Sequence, residues 1–208
     1  MDNRPGVTIG ILSNGWICEG LCDALMRMSH DPRYQLVVTY SWARPIPSNR
    51  QMLVRSFLES DNDYLVMIDR DVWPYHNLLD LIAADKDAVF FPVPVYRPGM
   101  AEPPIISVLD PLDGGMVDFD EGPFKEVEGG GSCFIIARRV LEALPQPIFE
   151  YVFDDWGMMV VEEDINFCRK AREAGFRLWA AYTHPCGHIK EVDLVDMHGR
   201  VKEWSDAI

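Results

Sequence analysis

The sequence predicts an α/β fold with a mostly parallel central sheet, helices on both faces and a small antiparallel addition. Strand and helix patterns alternate over residues 7–91, and the predicted strands are short apolar runs. Parallel strands need crossover connections, which are usually helices, so this alternation favours a parallel sheet. With 208 residues, the chain is predicted to form one domain over 1–208.

The first predicted strand, Val7–Leu12, ends at the turn signal Ser13-Asn14-Gly15. Tyr64–Ile68 is an apolar run too short for a helix, and it suits a strand buried on both faces. The other elements of this half are a helix over Leu21–Met28, a strand over Gln35–Tyr40, a helix over Asn49–Leu58, a helix over Leu78–Ala84 and a strand over Ala88–Phe91.

The chain changes character from Pro92 to about Gly122, where prolines and turn residues are frequent. This composition predicts irregular loops and short antiparallel strands that lie over the sheet. The rest of the chain holds a glycine-led strand and helix over Glu128–Leu144, a helix over Val160–Gly175 and a strand over Phe176–Ala181, which Cys186-Gly187-His188 follows.

The composition and the missing motifs disfavour several functional classes. A net charge of −14 argues against an extended grip on nucleic-acid phosphates, and no apolar run approaches the roughly 18 residues that span a bilayer. The lack of such a run predicts no membrane partner. The five cysteines contain no C-x-x-C pair, so we expect reduced thiols in a cytoplasmic protein. No G-x-G-x-x-G or G-K-[ST] motif follows a strand, which disfavours dinucleotide binding and P-loop hydrolysis.

Two carboxylates follow the buried strand Tyr64–Ile68, in the turn Asp69-Arg70-Asp71. Ligands of open α/β sheets bind at the carboxyl ends of the strands, and paired carboxylates there could hold a divalent cation against phosphate oxygens. The same spacing occurs in three other acidic pairs, but those lie in polar, turn-like surroundings. A plain turn at the end of the strand is the alternative.

Two further segments of the second half have both a functional and a structural interpretation. Glycines 129–131 before a strand permit close approach of a ligand or of another backbone, or they form a simple turn. Glu162, Glu163 and Asp164 begin a helix that ends at Gly175. Acids in a first turn complement the helix dipole, which is a sufficient structural reason for Glu162 and Glu163.

In order and spacing these motifs resemble those of a GT-A-fold, family 2-like glycosyltransferase, over roughly Val7 to His188. The resemblance implies a GT-A-like, Rossmann-like sheet with a nucleotide-binding half at about 1–91 and a donor-sugar and acceptor half at about 92–208. The stretches that carry it are Leu65-Val-Met-Ile-Asp-Arg-Asp71, Gly129-Gly-Gly-Ser-Cys-Phe-Ile-Ile-Ala-Arg-Arg139, and Glu162 to Trp179 followed by Cys186-Gly187-His188.

The resemblance also implies a reaction and a metal. A sugar would pass from a nucleotide-diphosphate donor, a UDP-sugar above all, to an acceptor hydroxyl. Mn²⁺ or Mg²⁺ would neutralise the departing diphosphate. Asp71 would ligate the metal, Asp69 would contact the metal or the ribose, and His188 would be a third ligand, although a turn residue is the alternative for His188.

Asp164 matches the family's catalytic carboxylate and would be the general base of an inverting transfer, whereas in a retaining enzyme it would hold the donor sugar or the acceptor. The family often has an acid at the end of the second strand, where this chain has Tyr40-Ser41. The implied donor or nucleotide contacts are Ser13, Asn14, Tyr40, Trp42, Arg50 or alternatively Arg44, Asp69, Gly130 and Gly131. The implied acceptor or sugar contacts are Asp155, Trp156 and Glu163, with Trp156 as a stacking platform.

Two other functional classes remain open from the sequence. One is a protein that binds a nucleotide-sugar or a metal without transferase activity. The other is a sugar-phosphate nucleotidyltransferase, although the turn after the first strand lacks the basic, glycine-rich loop that such an enzyme needs. The acceptor could be a glycan, a protein, a small molecule or, less favoured by the acidic charge, modified DNA. The polar tail Met197–Ile208 is a candidate for packing back or for homo-oligomer formation.

Overall fold

A computed structural model describes residues 4–95, 105–106 and 123–190, which are built around a seven-stranded sheet. Five strands share one direction and two, β9 and β8, run against them, so the predicted mostly parallel sheet is confirmed. In spatial order the strands are β2 (Gln35–Ser41), β1 (Gly6–Leu12), β3 (Tyr64–Asp69), β9 (Cys133–Ala137), β5 (Ala88–Phe90), β12 (Leu178–Ala180) and β8 (Lys125–Glu126).

In the part of the chain that the structure describes, six further strands form three small antiparallel pairs, which confirm the predicted antiparallel addition. The tail Met197–Ile208 and most of Pro92–Gly122 lie outside the described residues, so their predicted roles stay predictions. The pairs are β4 (Val72–Pro74) with β13 (Cys186–His188), β6 (Pro94–Val95) with β7 (Ile105–Ile106), and β10 (Val152–Phe153) with β11 (Met159–Val161).

Helices cover both faces of the sheet, as predicted, and each face has its own apolar core. Alternate residues of the central strands supply the two cores, because successive side chains of a strand point to opposite faces. One face carries α1 (Glu19–Ser29) and a 3-10 helix over Leu78–Ala84. The other carries α2 (Ile46–Leu58), α3 (Arg138–Ala143) and α4 (Glu163–Glu173).

Three helix predictions differ from the structure for local reasons. α2 begins at Ile46 instead of Asn49, because a proline in its first turn has the φ that a helix needs. The predicted helix over Leu78–Ala84 is a 3-10 helix, which the Asn77 side chain caps by accepting from the Leu79 N–H. α4 begins at Glu163 because the preceding Met159–Val161 pairs as a strand.

Because β9 is antiparallel to β3, it begins at the edge of the sheet where the parallel strands β1 and β3 have their carboxyl ends. β1 and β3 end at this edge, whereas β9 begins there, directly after the glycines 129–131. The backbone connects the two ends, since the Asp69 N–H donates to the Ser132 carbonyl at 3.0 Å. Acidic strand ends and the glycine-led turn are therefore neighbours in space.

Candidate active site

The turn that holds the paired carboxylates is fixed to the end of β1. The Arg70 N–H donates to the Leu12 carbonyl at 3.2 Å, and the Arg70 carbonyl accepts from the Cys18 N–H at 2.9 Å. Asp69 and Asp71 thus stand at the carboxyl edge of the parallel strands, where the sequence places them.

Asp71 meets His188, although 117 positions separate them in the sequence, because β13 pairs with β4 and sets His188 opposite Val72. Nε2 of His188 lies 3.5 Å from Oδ2 of Asp71. Nδ1 of His188 lies 2.7 Å from the Pro94 carbonyl oxygen, which can only accept. Nδ1 therefore donates to this carbonyl, and Nε2 is the ring nitrogen that faces Asp71. The Lys190 ammonium also lies 3.4 Å from the same carboxylate oxygen.

Asp71 and His188 fit a divalent cation that substrate helps to hold. An imidazole oriented through its other nitrogen by a backbone carbonyl is the usual arrangement of a metal ligand, and Mg²⁺ often uses one or two carboxylates plus phosphate oxygens. Residues 4–95 and 123–190 contain no group of three or more His, Cys, Asp or Glu side chains arranged to bind an ion. Phosphate oxygens or water would therefore complete the coordination.

Arg50 lies buried beneath the site, 3% exposed, and connects its parts. Its Nε donates to Oε1 of Glu163 at 3.1 Å, and its Nη2 donates to the Gly131 carbonyl at 2.9 Å and lies 3.8 Å from Oδ1 of Asp69. The guanidinium stacks over the rings of Phe134 and Phe149, at 5.2 and 5.7 Å from their centroids. One side chain thus ties the start of α4 to the glycine turn and to the end of β3.

Asp164 packs directly against the glycine turn. A Cβ built at Gly131 would lie 2.0 Å from Oδ2 of Asp164, so a larger residue there would displace this carboxylate. The other oxygen, Oδ1, accepts from the N–H of Ile165 at 2.8 Å. The predicted close approach at Gly131 is therefore made by a side chain of the same chain, Asp164 in the first turn of α4, and not by a ligand.

The carboxylates at this edge have different proton affinities. Burial raises the pKa of Asp69 to about 6, because the opposing effect of Arg50 is offset by the neighbouring charges of Asp71, Asp164 and Glu163. Burial also raises the pKa of Asp164, although Arg50 opposes the shift. Burial alone would raise the pKa of Asp71, but His188 and Lys190 outweigh it and the net pKa is lowered. Asp71 is thus the acid that stays ionised most readily, as a metal ligand must.

Two clefts open beside these residues, with volumes of about 460 and 520 Å³. Both sizes suit part of a nucleotide-sugar. Ser13, Asn14 and Arg44 line both clefts, so the two adjoin. The first is also lined by Arg50, Asp69, Arg70, Asp71, Tyr151 and Lys190. The second is also lined by Gly15, Trp16, Ile17, Tyr40 and Trp42.

The predicted donor residues divide between the clefts and the layer beneath them. Ser13, Asn14, Tyr40 and Asp69 line a cleft, and so does Arg50, although its guanidinium already serves Glu163 and Gly131. Asp164, His188, Gly130 and Gly131 do not line either cleft as described. A Cβ at Gly130 would lie 3.2 Å from Phe90, so Gly130 packs on the core side.

The predicted acceptor residues are less closely gathered. Asp155 and Trp156 lie in the turn between β10 and β11, where Trp156 is 91% exposed. The turn is built by Asp154, whose carboxylate accepts from the N–H groups of Trp156 and Met158. Glu163 is buried against Arg50. The acceptor roles of these residues remain predictions.

The clefts also contain residues that were not predicted as contacts, among them Trp16, Arg70 and Lys190. Trp16 stacks with Arg70, whose guanidinium carbon lies 4.3 Å from the ring centroid, and Arg70 also contacts Asn14. Lys190 reaches Asp71 from the end of β13. Lys190 could have been found, because it stands only two residues after the predicted ligand His188. Nothing in the sequence pairs Trp16 with Arg70.

Solved structures share this architecture. A197 from STIV matches with 21% identity and a TM-score of 0.64, over 89% of this chain and 86% of that one. GalNAc-T7 with UDP, GalNAc and Mn²⁺ matches with 12% identity and a TM-score of 0.53, over 91% of this chain and 44% of that one. UDP-glucose pyrophosphorylase complexed with UDP-glucose matches with 6% identity and a TM-score of 0.53, over 99% and 100%. The chain has a GT-A-like fold.

No protein-family model and no curated protein matches the sequence. Two of these neighbours hold nucleotide ligands, UDP with GalNAc and Mn²⁺ in one and UDP-glucose in the other, and at these identities all three establish the fold alone. Among the described residues, every helix is too short or too polar to cross a bilayer.

Proposed function

We propose that this chain is a metal-dependent, family 2-like glycosyltransferase that moves a sugar from a nucleotide-diphosphate donor to an acceptor hydroxyl. The observation that carries the proposal is the network at the sheet edge. Asp164 packs on Gly131, Arg50 holds the Gly131 carbonyl, and the same guanidinium lies 3.8 Å from Asp69. A GT-A-like neighbour in complex with UDP, GalNAc and Mn²⁺ supports the choice of ligands.

The donor would bind across the two adjoining clefts. The nucleoside fits the cleft with Trp16, Tyr40 and Trp42, because aromatic rings stack on nucleobases. The diphosphate fits the cleft with Arg70 and Lys190, whose cations offset phosphate charge. Mn²⁺ or Mg²⁺ held by Asp71 and His188 would act there as a Lewis acid on the diphosphate oxygens.

Asp164 would act as the general base. It takes the proton of the acceptor hydroxyl while the hydroxyl oxygen forms a bond to the anomeric carbon of the donor sugar. The bond from that carbon to the diphosphate breaks, and its electron pair leaves with the diphosphate, beside Arg70 and Lys190. The raised pKa of Asp164 supports this role, because it makes the carboxylate a stronger base. Attack opposite the leaving group inverts the anomeric configuration.

Asp164→Asn tests the proposal, with Glu162→Gln as the matched control. Glu162 lies two residues earlier, is exposed and makes no side-chain cap contact, so the control makes the same chemical change away from Gly131. Loss of a general base lowers the rate about 10²–10⁴-fold. We expect that loss in UDP-sugar turnover with Mn²⁺ for Asp164→Asn alone, with UDP affinity unchanged. Equal rates for the two variants would rule out Asp164 as the base.

The same assay separates the other two classes. A sugar-phosphate nucleotidyltransferase would release pyrophosphate from UTP and a sugar 1-phosphate, although Ser13-Asn14-Gly15-Trp16 supplies no basic side chain for that reaction. A protein that binds without transfer would show a UDP-sugar thermal shift and no turnover with any acceptor. A product that keeps the donor's anomeric configuration would exclude the inverting mechanism.

A further inference from the structure

Strand β2 forms one outer edge of the seven-stranded sheet in the described residues, and it pairs only with β1 there. The Gln35 N–H donates to Pro5, and the Ser41 carbonyl accepts from Ser13. Alternate strand residues direct their backbone groups to the same side, so Val37 and Thr39 also face β1. The backbone groups of Leu36, Val38 and Tyr40 therefore point away from the sheet.

Within residues 4–95, 105–106 and 123–190, this edge lacks the usual protection against strand pairing. Proteins blunt exposed edges with charged side chains, proline or bulges, and a long apolar edge without them is a template for another strand. Residues 35–41 are Gln-Leu-Val-Val-Thr-Tyr-Ser, with no charge and no proline, in a chain of net charge −14. Val37, Val38 and Tyr40 are 53%, 38% and 43% exposed. The edge is thus an uncharged apolar strip on an acidic protein.

We propose that β2 pairs with β2 of a second copy of this chain, antiparallel and with the twofold axis at Val38. The segment is self-complementary in this register: Val38 faces Val38, Leu36 faces Tyr40 and Val37 faces Thr39. Aromatic–aliphatic and β-branched pairs of this kind stabilise antiparallel strands. The outward-facing residues Leu36, Val38 and Tyr40 become the hydrogen-bonded positions, which gives about six backbone hydrogen bonds across the axis.

Charge favours a second copy over a different acidic or basic partner. A twofold contact places like charges opposite one another, which a strip without charges avoids. Repulsion between the remaining acidic surfaces is screened by salt. The dimer is therefore stronger at high ionic strength, whereas a contact with a basic partner would weaken. Trp42, 66% exposed, continues the strip into the cleft that Tyr40 also lines.

The oligomeric state in solution tests the proposal. Light scattering after size exclusion should give twice the 23.7 kDa chain mass for the wild type. Val38→Lys places two ammonium groups face to face and should give the monomer with an unchanged melting temperature. Met26→Lys is the control, since Met26 is 63% exposed on α1, and it should stay dimeric. A monomeric wild type, or a dimeric Val38→Lys, would overturn the proposal.

Cross-linking tests the register. Residues 38 of the two copies would have Cα atoms about 5.5 Å apart, within disulfide range. Residues 37 would be diagonal neighbours, about 7–8 Å apart. In a Cys22→Ser background, which removes the exposed native thiol, mild oxidation should couple Val38→Cys into a dimer and leave Val37→Cys uncoupled. Coupling of Val37→Cys, or the failure of Val38→Cys to couple, would refute this pairing.

Discussion

Gly131→Ala should separate catalysis from folding, because its added methyl group meets only the proposed base. The new Cβ would lie 2.0 Å from Oδ2 of Asp164, whereas ordinary contact begins at 3.4 Å. The carboxylate must therefore retreat by about 1.4 Å. A misplacement of about 1 Å in a catalytic group can lower a rate about 10²-fold. The backbone of Gly131 is not in the left-handed region, so alanine adds no φ strain.

The assay is single-turnover sugar transfer, with UDP affinity and the melting temperature measured in parallel. Gly130→Ala is the matched control: the same methyl group one residue earlier meets Phe90 at 3.2 Å and leaves Asp164 untouched. We expect a rate loss of about 10²-fold for Gly131→Ala and a small stability cost for both variants. If Gly131→Ala transfers sugar as fast as Gly130→Ala, the position of Asp164 does not limit the reaction.

Three further perturbations follow from the same contacts. The pKa of Asp69 rises from 3.8 to about 6 on folding, so the native state loses stability as pH increases from about 4 to 6. Asp69→Asn should therefore raise the free energy of unfolding by about 3 kcal/mol at pH 8 and by less than about 1 kcal/mol at pH 4, in urea titrations. Arg50→Lys should lower the free energy of unfolding by about 3–5 kcal/mol in the same titrations, since lysine cannot donate to both Glu163 and Gly131. The control Arg55→Lys, exposed on α2, should lower it by less than about 0.5 kcal/mol. Trp16→Leu should weaken UDP binding about tenfold by calorimetry through loss of base stacking, and an unchanged affinity would place the base elsewhere.

Much of the fold could be predicted from periodicity. The strands of the first half are apolar runs, and the two cores confirm that helices cover both faces. The direction of β9 could not be predicted. Cys133–Ala137 is buried on both faces, and the apolar pattern of such a strand is the same for a parallel and an antiparallel neighbour. The sequence predicts too early a start for α4, because Met159–Val161 is apolar and adjoins the helix without a turn signal.

The sequence predicts those site residues that belong to a local motif, such as Asp69 and Asp71. The pairing of Asp71 with His188 depends on β4 and β13, which join distant segments, and the family resemblance supplied that partner. Arg50 was predicted as a nucleotide contact, and the structure adds that its guanidinium is held by Glu163 and Gly131. A buried network of this kind leaves no periodic signal, because its members come from α2, α4 and a loop. The contact of Trp16 with Arg70 likewise depends on the tertiary fold.

The central position of β9 has a consequence for how the chain folds during synthesis. β5 reaches β3 only through β9, which is made more than forty residues after β5 and more than sixty after β3. A nascent chain that has released Asp69 and Asp71 therefore holds them on an open edge until the glycine turn and Cys133–Ala137 arrive. Fragments 1–95 and 123–208 should each fail to form the complete sheet alone and should fold only when they are mixed. The sheet of the first half can therefore be completed only after the ribosome has synthesised β9.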